Sequence, residues 1–263
     1  MNPRFTLGLV AVILLGGMAA LWLSDRESAS PSPAAPSQEP ARPGPDLPPQ
    51  DYVLAVSWHP AFCETKPNLS ECRNAEASDY TADHFALHGL WPQDDEYCGV
   101  SDSLVAIDRA NRWNNLPRVE LSDATRRALT ELMPGTQDRL ERHEWLLHGT
   151  CSGVDAELYF KRAMALVEEL NNSSVRDLFA RNIGKRITAE AVRNAADDEF
   201  DAGAGRRIRL DCLEDGNRDL AYELRINLDG DVMLSASLAE LIQRGRTGGA
   251  GCAAGIVDRV GTR

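Results

Sequence analysis

The 263 residues are 43% hydrophobic and 26% charged, proportions of a folded protein that exclude a collagen-like, low-complexity or wholly disordered chain. Lys and Arg number 28 against 40 Asp and Glu, a formal net charge of −12, so a general grip on nucleic acid through bulk positive charge is excluded and any polyanion must be met at a local site. In the first 50 residues Arg4, Arg26 and Arg42 nearly balance Asp25, Glu27, Glu39 and Asp46; the acidity belongs to the remainder.

Met1 to Arg4 is short and basic, and Phe5 to Leu23 carries no charge, the pattern of an export signal entering a bilayer with its N-terminus inside. About 19 apolar residues lie at the lower edge of a spanning helix. No clean A-x-A site follows Leu23, so a cleaved signal peptide and a retained membrane anchor over 1–23 both stand. Either way the rest is delivered outside the cytoplasm, to a periplasmic or extracellular location, free or tethered. Residues 24–50 are rich in Pro, Ser and Ala and read as a linker stiffened toward polyproline geometry; residues 51–263 read as one folded domain. Cys63, Cys72, Cys98, Cys151, Cys212 and Cys252 follow the export signal, an even number in an oxidising setting, which points to three disulfides. No C-x-x-C pair is present to build a zinc-thiolate site.

Within the domain, Tyr52 to Trp58 has the composition of a buried strand stopped by Pro60. A second apolar run ends at Phe85-Ala86-Leu87, which places His88 at or near a strand end. Ser122 can cap a helix carrying Leu129, Leu132 and Met133 before Pro134-Gly135, and a short helix containing His143 to His148 ends at Gly149. Phe160, Met164, Val167 and Leu170 recur at helical spacing, and Thr188 can cap a helix running toward Phe200. Ile208 and Leu210 lead to Cys212. Tyr222, Leu224, Ile226 and Leu228 then alternate with Glu223, Arg225 and Asn227, the mark of a sheet wet on one face, before a turn signal at Asp229-Gly230. Strands, then helices, then strands without regular alternation argue an α+β domain with a central antiparallel sheet flanked by helices.

Three of the five histidines fall in two short segments, HGLWPQ (88–93) and HEWLLHGTCSG (143–153). The second is H-E-x-x-x-H, one residue longer than the zinc-protease motif. A five-residue step turns a helix by about 500°, so His143 and His148 lie roughly 140° apart and cannot share a zinc ion in that way. The step of four joins Glu144 to His148 on one helical face, with Cβ atoms roughly 6 Å apart. Two imidazoles and a carboxylate with no Ser or Cys nucleophile beside them suggest concerted acid–base catalysis. His59 and His84 lie outside both segments and read as structural. Trp145 reads as core support, and Trp91 stands between packing and substrate contact.

These segments resemble the paired motifs of the ribonuclease T2 family, HGLWP and HEWxKHGTC. The likeness extends to the YVLAVSWHPAFC opening and the MPG before the second motif. It implies a metal-independent, cofactor-free endoribonuclease, acting as a monomer, that cleaves single-stranded RNA by transesterification through a 2′,3′-cyclic phosphate and does not cleave DNA. It implies His148 as general base, His88 as general acid, His143 as phosphate ligand, Glu144 as stabiliser of the phosphorane, and Trp91 as a platform for the upstream base. It also implies the pairings Cys63 with Cys72, Cys98 with Cys151, and Cys212 with Cys252. One position departs: Leu147 stands where the family pattern has Lys, so a cation that stabilises the transition state is missing, a loss that can cost about 10²–10³ in rate. A catalytically lapsed RNA binder and a metallohydrolase are the competing readings. An optimum on the acid side is expected, since a cleft holding three histidines gains positive charge as pH falls.

Overall fold

The computed structural model describes residues 50–261. The apolar N-terminal segment and the Pro/Ser-rich linker lie outside the described residues, apart from Gln50 at the linker's end; among the described residues no helix is long and apolar enough to cross a membrane.

In chain order the elements are β1 (Gln50–Ser57), α1 (His59–Thr65), α2 (Ser70–Arg73), β2 (Ala86–Pro92), α3 (Asp102–Arg109), α4 (Asp123–Leu132), α5 (Leu140–Leu147), α6 (Ala156–Asn171), α7 (Ser174–Arg181), β3 (Arg186–Thr188), α8 (Ala189–Phe200), β4 (Ile208–Asp215), β5 (Arg218–Gly230), α9 (Leu238–Arg244) and β6 (Ala254–Ile256). Ser122 and Thr188, the caps expected from sequence, each accept a backbone N–H at a helix N-terminus; Asp155 and Ser237 do the same, and Ser237 forms a reciprocal box with Glu240.

The fold is α+β. β5 is the long central strand. Glu223 faces Asp211 of β4 on one side and Ser57 of β1 on the other, while Leu220 faces Leu213 of β4 and Ile256 of β6. So β4 occupies one edge of β5, and β1 and β6 share the other. β2 pairs antiparallel with β1 and β3 with β6, whereas the β5–β6 pairing is parallel, making the sheet mixed where antiparallel pairing alone was expected. The hairpin turn between β4 and β5 falls at Gly216-Asn217; Asp229-Gly230, read from sequence as a turn, ends β5 instead.

Alternation gives the sheet two unlike faces. Tyr52, Leu54 and Val56, with Ile208, Leu210, Leu224, Ile226 and Leu228, are buried in one core with Leu129 of α4, Phe160 and Val167 of α6, Val192 of α8 and Leu241 of α9. The other face carries Glu223, Arg225 and Asn227 of β5 and Arg209 and Asp211 of β4. The disulfides are Cys63–Cys72, Cys98–Cys151 and Cys212–Cys252. The Gly-rich stretch after α9 lies against β4: Cys252 N donates to Leu210 O, and Gly251, at φ +63°, could not take a Cβ without meeting Leu210 O at 2.2 Å.

Candidate active site

His88 reaches the polar face of the sheet through an irregularity. Ala55 lies opposite Gly89 and Val56 opposite Leu87, which leaves His88 without a partner across the ladder, the extra residue of a β-bulge. The bulge resets the alternation. Leu87 and Leu90 both point into the core, while His88 and Trp91 both emerge half-buried on the opposite face. His88 therefore sits inside β2, which continues to Pro92, where sequence placed it at or near the strand end; Gly89 and Pro92 do not stop the strand because Gly89 still pairs with Ala55 and Pro92 with Tyr52.

α5 lays its acid over this point. A Cβ on Gly89 would fall 2.0 Å from Glu144 Oε2 and 2.2 Å from Trp91 Nε1, so only glycine admits the carboxylate here. Glu144, 1% exposed, accepts a hydrogen bond from Trp91 Nε1 at 2.8 Å and stands 3.8 Å from His88 Nε2. One helical turn on, His148 N donates to Glu144 O at 3.1 Å. The His148 ring lies 5.4 Å from the Trp91 ring, tilted by 30°, and the His88 ring meets the same indole edge-on at 5.2 Å. The Cys98–Cys151 disulfide and a bond from Tyr97 N to Leu147 O tie the segment after β2 to the end of α5.

Two carboxylates with no motif around them orient the imidazoles. Glu223, 1% exposed, binds His88 Nδ1 at 2.6 Å. Asp108, also 1% exposed, binds His143 Nδ1 at 2.9 Å and accepts from Tyr97 Oη at 2.7 Å. The His143 ring stacks on Trp113 at 4.6 Å. His148 differs: neither ring nitrogen is hydrogen-bonded among the described residues, and Nδ1 is buried. A buried, unpaired polar atom is costly unless something else uses it.

Electrostatics separates the two central histidines. Burial opposes charge on His88, but the Glu223 hydrogen bond and the charges of Glu144 and Glu223 outweigh it and raise its pKa. Burial, with the charges of His143 and His88, brings His148 down to about 3. Burial raises Glu144 against the pull of His88, His143 and the Trp91 hydrogen bond. Burial also disfavours charge on Glu223, yet its bonds to His88 and Arg225 lower its pKa. One imidazole thus favours the charged form and the other the neutral form.

A cavity of about 720 Å³ opens beside His88, lined among others by His59, Glu71, Trp113, Asn114 and Tyr222. Burial, and next the charge of Asp138, push Glu71 up to about 7. His59 is buried, held near 4 chiefly by burial, and His84 bonds Asp83 and Tyr80 O. Trp145 packs on Tyr159 at 5.7 Å beneath α5. Among the described residues one triplet has metal-ligand types within reach of one another, His59, Cys63 and Cys72, but its two sulfurs are bonded together.

The Ribonuclease T2 family pattern matches residues 50–236. "Ribonuclease I" of Escherichia coli (strain K12) is 29% identical over 211 residues, covering 69% of this chain and 76% of that protein. "Intracellular ribonuclease LX" of Solanum lycopersicum is 26% identical over 190 residues, covering 68% and 72%. Among solved structures, RNase NT in complex with 5′-AMP aligns with a TM-score of 0.50 at 19% identity, over 79% of this chain and 96% of that one, a likeness of fold.

Proposed function

Given that the chain belongs to the ribonuclease T2 family and is an endoribonuclease, we propose that it cleaves single-stranded RNA by in-line transesterification, with His148 as base and His88 as acid and without a metal ion. The observation that carries this reading is the indole of Trp91: both imidazoles lie against it, and its N–H holds the carboxylate that stands beside His88.

His148, neutral at working pH, takes the proton of the RNA 2′-hydroxyl as the 2′-oxygen bonds to phosphorus. His88, positioned through Nδ1 by Glu223, presents Nε2–H to the 5′-oxygen, whose bond to phosphorus breaks. The products are a 2′,3′-cyclic phosphate and a 5′-hydroxyl, and one proton has moved from His88 to His148. His143, oriented by Asp108, faces a phosphate oxygen through Nε2. Glu144, more easily protonated than an ordinary carboxyl, shares a proton with the phosphorane. Because His88 lines the large cavity, the leaving nucleoside goes there, and Trp91 serves the upstream side. DNA lacks the nucleophile and is not cut. Three disulfides suit an oxidising compartment, and we place the enzyme outside the cytoplasm, acting as a monomer.

Mass spectrometry of the ends released from a defined oligoribonucleotide in EDTA tests this. Cyclic phosphate and 5′-hydroxyl ends are expected, with no cutting by the His88→Ala, His148→Ala double variant. Loss of activity in EDTA would turn the reading to a metallohydrolase, and retention of uncut RNA to a binding protein.

A further inference from the structure

As the 2′-oxygen bonds to phosphorus, negative charge builds on the two non-bridging oxygens. The three imidazoles are titratable and Glu144 and Glu223 are acids, so a permanent cation must come from elsewhere. Leu147 cannot provide it. Arg142, the arginine of α5, is committed to Asn114 O, Leu116 O and Glu141. Resting on the ribonuclease reading above, we propose that Arg225 of β5 supplies this cation from across the sheet, its guanidinium binding the non-bridging oxygens of the scissile phosphate and of the phosphorane.

Arg225 shares one cross-strand row with Ala55 and Gly89. Neither has a side chain large enough to block it, and the guanidinium carbon lies 5.4 Å from the centroid of the Trp91 ring, the ring both imidazoles touch. Strands are spaced about 4.8 Å apart, so the row from β5 to the bulge in β2 spans roughly 10 Å, and a long side chain reaching inward from β5 covers much of it. Arg225 Nε donates to Glu223 Oε1 at 2.8 Å, while Oε2 of the same carboxylate binds His88 at 2.6 Å. A single buried acid thus places both the proposed cation and the proposed proton donor.

The anchor uses only one of the arginine's donor nitrogens. Among the described residues no hydrogen bond engages either terminal Nη, and the side chain is 44% exposed. That leaves a planar fork of donors of the kind that matches two oxygens of one phosphate. Arg209 of β4 stands directly opposite Arg225, an unfavourable like-charge pair. Asp211 relieves it, 2.6 Å from Arg209 Nε and 3.2 Å from Arg225 Nε. The sheet therefore carries compensation for a charge at a position where burial does not require one.

The test compares the parent with Arg225→Ala, with Arg225→Gln, which keeps a donor toward Glu223 without the charge, and with Arg225→Ala combined with Leu147→Lys. kcat on a defined dinucleotide is expected to fall about 10²–10³-fold in both single variants. The affinity for its uncleavable 2′-deoxy analogue should change far less. Leu147→Lys should restore at least about tenfold in the alanine background and add little to the parent. If the alanine variant loses its folded circular-dichroism signal, the glutamine variant and its combination with Leu147→Lys carry the same expectations. Single variants within about threefold of the parent, or a lysine effect equal in both backgrounds, overturn the role of Arg225 while leaving the ribonuclease reading intact. A parent that cuts no RNA overturns both.

Discussion

As the proposed acid, His88 must hold a proton to deliver one, and the group placed to keep it there is Glu223. The hydrogen bond at 2.6 Å, with the charge behind it, raises the imidazole pKa despite burial. His148 has no such partner and stays neutral down to about 3. For the free enzyme, kcat/KM should therefore rise through a limb far below 6.5 and fall through one above it, with its plateau on the acid-to-neutral side. Glu223→Gln removes the charge and lowers the His88 pKa, so the upper limb should move down and activity on the alkaline side should drop, while the acid-side rate is largely kept. A pH–rate profile checks this, and an unmoved upper limb would show that Glu223 only packs. The histidines and Glu144 were legible because two motifs surround them. Glu223, Arg225 and Asp108 were not: alternation along β5 showed that Glu223 and Arg225 share a wet face, and nothing local says which site that face borders.

At the level of elements, the site depends on one inserted residue. Without the bulge, His88 would share a face with Leu90 and Trp91 would lie on the opposite one; the extra residue brings His88 and Trp91 out together. Sequence patterning found most of the longer helices and the strands that build the core, because apolar period and capping residues are local signals: Ser122 and Thr188 cap helices where those signals stand. A register shift between two strands is a long-range property and leaves no local trace, so sequence places His88 at or near a strand end. The short β3 and β6, with the parallel contact between β5 and β6, escaped for the same reason. Gly89→Ala should keep the fold yet push Glu144 off Trp91 and cut kcat by about tenfold or more, within the range that displaced catalytic groups cost. Intrinsic tryptophan fluorescence should report the altered indole, and full activity with unchanged fluorescence would deny that the contact positions anything.

Across the whole molecule, the chemistry joins two distant parts of the chain, a strand near the start of the domain and a helix in its middle. Cys98–Cys151 fastens them. Its 53-residue separation restricts the unfolded chain by about 4 kcal/mol on a loop-closure estimate. His59 and His148 are held near 4 and 3 in the fold against about 6.5 in an unfolded chain, so the unfolded state protonates them first and their share of stability is lost as pH drops below 6.5, whereas Glu71, raised to about 7, adds stability as pH falls from there. The net charge of −12 does not rule out a local grip on RNA, since the fold places Arg225 beside Trp91 and joins it to His88 through Glu223. The proposed mechanism divides the labour between His88 and His148, and replacing the 5′-bridging oxygen of the scissile linkage by sulfur separates their roles, because a thiolate leaves without needing a proton. On the oxygen substrate both His88→Ala and His148→Ala should lose about 10²–10⁴ in kcat. On the sulfur substrate His88→Ala should recover to within about tenfold of the parent while His148→Ala stays slow; equal losses in the two variants on both substrates would contradict the assignment.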